Sequence, residues 1–153
     1  MKHLNKKSLS IISLILTFFI SAHAKGNDQL INYYFSAAKT GQTDVIEEFI
    51  VNGFPVNQKN NMSYTALMMA TYYGHGQTVD RLLALGADAC LRDKRGNTAM
   101  MGAIIKAEWG IAKKLYSHTC KERHHNQKTI EQFAAVFGQT EKLQALAAEL
   151  DAK

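Results

Sequence analysis

Residues 61–93 read NMSYTALMMATYYGHGQTVDRLLALGADACLRD. Thr65 is placed to cap a helix through Ala66-Leu67-Met68-Met69-Ala70, whose small and long apolar side chains suit close packing. Gly74 supplies the left-handed residue that ends it. A second helix sets Val79, Leu82 and Leu83 at i, i+3 and i+4, and Gly86 stops it. A pair of short helices like this cannot bury its apolar surface alone. It needs copies of itself on both sides.

The copies appear when the chain is shifted against itself. Thirty-three residues on, Thr65-Ala66 meets Thr98-Ala99, Met68 meets Met101, Ala70 meets Ala103 and Leu82 meets Leu115. Thirty-three residues back, Ala70 meets Ala37, Gly74 meets Gly41, Val79 meets Ile46, Leu82 meets Phe49 and Gly86 meets Gly53. A further step of 31 aligns Thr98 with Thr129, Ala103 with Ala134, Ala107 with Gly138 and Leu115 with Leu146. A period near 33 with two helices and a turn per unit marks a solenoid.

These residues resemble the ankyrin-repeat family, whose unit runs Gly-x-Thr-Pro-Leu-His-x-Ala-Ala-x-x-Gly-His, then Val-x-x-Leu-Leu and Gly-Ala-Asp. The chain departs from that pattern at Ser63 (for the turn glycine), at Ala66 and Ala99 (for proline), and at Met68 and Met101 (for histidine). The resemblance covers about residues 28–150. It implies an all-α ankyrin-repeat solenoid of about four helix-turn-helix repeats with short β-turn tips, at about 28–60, 61–93, 94–125 and 126–150. In the family, the histidine after the helix-ending glycine braces the loop, a role that falls here to His75.

The start is different in kind. Lys2, Lys6 and Lys7 form a basic head, Ile11 to Ile20 an apolar run, and Ala22-His23-Ala24 a small-x-small site. This reads as a signal peptide over residues 1–24, cut after Ala24, ahead of a repeat domain over 25–153. A retained anchor is the alternative, but the run is shorter than the ~20 residues a spanning helix needs. The pattern is of the bacterial type, so the expected destination is the periplasm, with membrane contact only during export. The whole chain carries 18 basic and 13 acidic residues, and three lysines precede the cut. The mature balance is therefore near neutral, and no basic stripe or motif points to nucleic acid.

Both ends read as caps. In the first repeat Leu30, Tyr34 and Ala37 are expected inward, followed by Val45, Ile46, Phe49 and Ile50, with Gln29, Asn32 and Lys39 on a wet face. In the last, Phe133, Ala134, Leu143, Leu146 and Leu150 keep the pattern, while Glu131 and Gln132 replace an apolar pair. Between Ser117 and Gln127 the repeat breaks and gathers His118, Cys120, His124 and His125. Imidazole and thiolate are soft-metal ligands, which opens a metal- or haem-binding reading. No second cysteine lies nearby, however, and no cofactor is expected. Cys90 stands 30 residues before Cys120, at nearly the same phase of the preceding repeat. In an exported chain the two are expected to form a disulfide.

Ser36, Ser63 and Ser117 stand in no nucleophile elbow, and neither a phosphate loop nor a dinucleotide fingerprint is present. The expectation is a binding protein without catalysis, monomeric when free. In ankyrin proteins, contacts cluster on a concave face at the turn tip, before the threonine, and before the helix-ending glycine. Carried onto this chain, those positions are Asn61, Met62, Tyr64, Tyr72 and Tyr73 in the second repeat. Lys94, Arg95, Asn97, Ile105 and Lys106 follow in the third, and His125, Lys128, Val136 and Phe137 in the fourth. Aromatic and arginine side chains are the types that dominate protein interfaces. The class of small exported bacterial ankyrin proteins suggests an immunity protein against a periplasm-acting toxin, or an accessory of an envelope catalase in peroxide defence.

Overall fold

Four helix pairs follow one another along the described residues, which in the computed structural model are 28–118, 120 and 129–152. The helix over 28–40 (α1) precedes α2 (Thr43–Val51), and α3 (Ala66–Tyr72) precedes α4 (Gly76–Ala84). Then come α5 (Ala99–Lys106) with α6 (Trp109–Tyr116), and α7 (Ile130–Val136) with α8 (Thr140–Asp151). All regular structure among the described residues is helical. The expected signal peptide lies outside them. The chain divides into units of residues 1–33 and 34–153, and the second holds the repeats discussed below.

The local reasons repeat from unit to unit. Thr65, Thr98 and Thr129 have extended backbones, and their hydroxyls accept hydrogen bonds from the N–H groups of Met68, Met101 and Gln132 at 3.3, 3.4 and 3.2 Å. The Gln132 Oε1 in turn accepts from the Thr129 N–H at 3.1 Å, and so closes a capping box. At the other end of each inner helix a left-handed residue turns the chain. It is Gly41, Gly74 and Gly138 in three repeats and Ala107 in the remaining one (φ 55°). The N–H that follows then bonds back into the helix, from Gln42 to Ala37, His75 to Ala70, Glu108 to Ala103 and Gln139 to Ala134, at 2.8–2.9 Å.

Ala37, Ala70, Ala103 and Ala134 are essentially inaccessible to solvent. Helix α3 packs on α5 and α5 on α7, while a second layer runs from α2 to α4 to α6. Ile46, Val79, Leu82, Ile111, Leu115, Leu143 and Leu146 fill the space between the layers. The first repeat seals its end with rings. Tyr34 stacks on Phe54 and Phe49 at centroid distances of 4.6 and 5.5 Å, and its hydroxyl donates to the Val56 carbonyl at 3.3 Å. Burial pushes this phenol well above the usual tyrosine range.

One expectation is corrected. Leu30 is 53% exposed. Ile31 is half-buried in its place, because the inward stripe of α1 runs through 31, 34, 37 and 38 at helical spacing. Val45, Phe49, Ile50, Leu83 and Leu150 are half-buried rather than core.

The turn tips are closed by side chains. Asn60 Oδ1 accepts from the N–H groups of Met62 and Tyr64 at 2.9 and 3.0 Å, and Asp93 Oδ1 accepts from those of Arg95 and Asn97 at 2.8 Å. The Lys94 N–H donates to the Met62 carbonyl at 3.2 Å, which joins the two tips through backbone. Each tip requires a left-handed third residue, and it is Gly96 in one and Ser63 (φ 60°) in the other. A side chain in that conformation costs about 1–2 kcal/mol, partly offset by the extra freedom glycine has when unfolded. Ser63→Gly and Ala107→Gly should therefore each stabilise the fold by about 0.5–1 kcal/mol in urea denaturation. A loss of stability in both would show that the side chains at these turns do more than occupy a strained conformation.

A candidate protein-binding face

Two and three residues past each buried alanine, the end of the inner helix carries exposed side chains. Those positions hold Lys39 and Thr40 in α1, Tyr72 and Tyr73 at the end of α3, Ile105 and Lys106 in α5, and Val136 and Phe137 at the end of α7. All eight are exposed. The apolar members remain 39–64% accessible, which is much for rings and branched side chains in a folded domain. Tyr72 and Tyr73 meet edge to face at 5.5 Å, and Phe137 lies against Phe133 at 4.8 Å. Lys39 reaches forward from its own repeat to sit 5.2 Å over the Tyr73 ring. Lys106 reaches back to sit 5.0 Å over Tyr72. The tyrosine pair is thus bracketed by two ammonium groups, each attracted to the negative face of a ring.

The tips continue this surface. Asn61, Met62, Lys94 and Arg95 are exposed, whereas Tyr64 is half-buried. Asn97 is half-buried too, and its amide donates to Asp93 Oδ2 at 3.2 Å, so it serves the turn. His125 and Lys128 lie outside the described residues. The sequence reading passed over Lys39 as cap polarity, although it stands 33 residues before Tyr72 and could have been found by the same shift. It also passed over Asn60 and Asp93, whose signal was an Asn or Asp three residues ahead of the left-handed position.

The outer helices treat charge in the opposite way. Glu47 of α2 pairs with Arg81 of α4, Asp80 of α4 with Lys114 of α6, and Lys113 of α6 with Glu149 of α8. The Arg81 guanidinium holds the Glu47 carboxyl below its ordinary range by direct hydrogen bonds. Exposed pairs of this kind add little stability each, but they neutralise the outer layer from repeat to repeat. Among the described residues no carboxylate pairs with Lys39, Lys94, Arg95 or Lys106.

Cys90 and Cys120 are joined in a disulfide with a Cα separation of 5.4 Å, which ties the end of the second repeat to the stretch that breaks the repeat pattern. Among the described residues no group of three or more His, Cys, Asp and Glu is placed to hold a metal. His124 lies outside them. A cavity of about 200 Å³ beside the disulfide, lined by Arg92, Met100, Met101, Leu115, Ile130 and Glu131 among others, is smaller than the roughly 300–1,000 Å³ of small-molecule sites.

Two outcomes are expected from this arrangement. Tyr72→Ala and Tyr73→Ala should each cost less than about 1 kcal/mol of unfolding free energy, against roughly 2–5 kcal/mol for Leu82→Ala in the core. Urea denaturation makes the comparison, and equal losses would assign the rings to the core. Reduction of Cys90–Cys120 should lower stability by roughly 2–4 kcal/mol through the freed loop. An unchanged midpoint in reductant would mean that the bond constrains nothing the fold needs.

A profile of the family described as "Ankyrin repeats (3 copies)" matches residues 5–93 and 34–123. A putative ankyrin repeat-containing protein of Treponema pallidum is 29% identical over 119 residues, covering 65% of this chain and 40% of its own length. Protein HOS4 of Saccharomyces cerevisiae is 46% identical over 68 residues, 44% of this chain and 6% of that protein. The putative ankyrin repeat protein PA3287 of Pseudomonas aeruginosa is 31% identical over 51 residues, 33% of this chain and 30% of the relative. The chain spans less than half the length of these relatives. Capped inner helices with a buried alanine in each, hydrogen-bonded tips and a match over most of its length lead to one conclusion: the chain belongs to the ankyrin-repeat family, a scaffold for protein–protein interaction.

Proposed function

We propose that this is an exported, non-enzymatic binding protein that holds a protein partner against the tyrosine-bearing face, in the manner of an immunity protein that occludes a toxin acting in the periplasm. The exposed ladder Tyr72, Tyr73, Ile105, Val136 and Phe137 carries the reading. Rings left in water add little to the free protein, and each can contribute about 2 kcal/mol or more once desolvated against a partner. Two features support export: the basic head, apolar run and Ala22-His23-Ala24 site of residues 1–24, and a disulfide of the kind that persists in oxidising compartments. Occlusion needs a preorganised surface and no chemistry. A stack whose backbone is tied from tip to tip meets that need, because little ordering remains to be done on binding.

The test is affinity capture from a periplasmic extract with the mature protein and with its Tyr72→Ala, Tyr73→Ala double variant. The expected partner is an enzyme or toxin whose activity is blocked by stoichiometric addition of the wild-type protein, with binding weakened more than about tenfold by the double variant. A partner held equally by both proteins would remove this face as the site. An envelope catalase as the captured partner would replace occlusion with the accessory role in peroxide defence.

A further inference from the structure

The two faces of the repeat stack differ in how they handle charge, and the difference points to the kind of segment the inner face takes up. On the outer layer each described ion pair links one repeat to the next: Glu47 with Arg81, Asp80 with Lys114, Lys113 with Glu149. On the inner ladder the cations Lys39 and Lys106 converge from repeats on either side onto one tyrosine pair, at 5.2 and 5.0 Å from the rings. None of the eight ladder positions is acidic. The carboxylates nearest in sequence are Asp44, Asp93, Glu108 and Glu131, and among the described residues none forms an ion pair with a ladder lysine. Asp93 is spent on the backbone of its own tip, and Glu108 lies over Gly74, where an added Cβ would come within 2.9 Å of Oε1. Glu131 stands a turn and more ahead of Val136 on α7. Lys94 and Arg95 extend the positive character along a tip.

A lysine over a tyrosine ring is only partly satisfied. The ring takes one side of the ammonium, and its N–H groups remain available to an anion. A carboxylate arriving there meets a cation already positioned by the ring. The apolar side chain between two such carboxylates meets Tyr72 and Tyr73, with Ile105 beside them.

Resting on the reading that this ladder is the binding face, we propose that it recognises an acidic protein segment in which carboxylates flank an apolar or aromatic side chain. Lys39 and Lys106 grip the carboxylates and the tyrosine pair receives the apolar side chain. The ladder continues into Ile105, Val136 and Phe137, and this favours a protein segment over nucleic acid, whose phosphates would meet apolar surface there.

Selection of a random peptide library displayed on phage, using the oxidised mature protein as bait, tests this without knowledge of the natural partner. The expected winners are rich in Asp and Glu around an apolar centre. Their affinity should fall with added salt and drop about tenfold on Lys39→Gln, Lys106→Gln, with a similar or greater loss on Tyr72→Ala. Glutamine versions of the winning peptides should bind correspondingly worse. Neutral or basic winners that still need Tyr72 would overturn the acidic specificity and leave the binding face standing. Winners indifferent to both the lysines and Tyr72 would sink the face and the specificity together. Failure to enrich any acidic peptide, or tighter binding of single-stranded DNA than of the acidic winners, would also overturn the proposal.

Discussion

A buried alanine (Ala37, Ala70, Ala103 or Ala134) recurs at the same place in the inner helix of every repeat, and a small side chain there lets neighbouring elements come close. The same four residues accept a backbone hydrogen bond from the residue just past each helix end. Packing and turn closure therefore meet at one position. A larger side chain there would push neighbouring helices apart and move the turn as well. With that position set, the residues two and three places further on fall into register from repeat to repeat. The exposed ladder is a geometric consequence of the buried one.

The same register sorts the charges. Residues of the outer helices come within reach of their counterparts one repeat away, and oppositely charged pairs form there. Along the inner ladder the corresponding neighbours are aromatic or aliphatic, so a lysine finds a ring instead of a carboxylate. Such a surface is soluble, because the cations remain in water, yet it keeps apolar area available. That combination suits a face that takes up a protein partner.

The chain departs from its own pattern in a few places, and each departure has a local physical account. Ser63 and Ala107 take left-handed turns that Gly96 and the other helix-ending glycines make without strain. The His75 ring packs so closely on Gly41 that a Cβ there would lie 2.6 Å from Nδ1, and its Nε2 is 2.8 Å from the Lys39 carbonyl. One side chain thus secures the junction of the first two repeats. Where the repeat step shortens after α6, the covalent Cys90–Cys120 link ties the chain to the preceding repeat. In the first repeat a cluster of Tyr34, Phe49 and Phe54 packs together over the core.

Much of this was legible in the sequence. The threonine caps, the helix-ending glycines, the repeating alanines and the buried Val79, Leu82 and Leu115 all follow from short-range patterns. Each reports a local backbone requirement or a helical stripe, and each recurs at a fixed period. The exposure of Tyr72, Tyr73, Ile105, Val136 and Phe137 was what the family resemblance implied. What the sequence left open depends on distances between repeats. The bracketing of the tyrosines by Lys39 and Lys106, the outer ion pairs, the backbone bond between the tips and the inward choice of Ile31 over Leu30 are all of this kind. A long flexible side chain can lean toward either neighbour, and a helix can turn by one residue without changing its composition. Only the assembled stack decides which partner lies within reach.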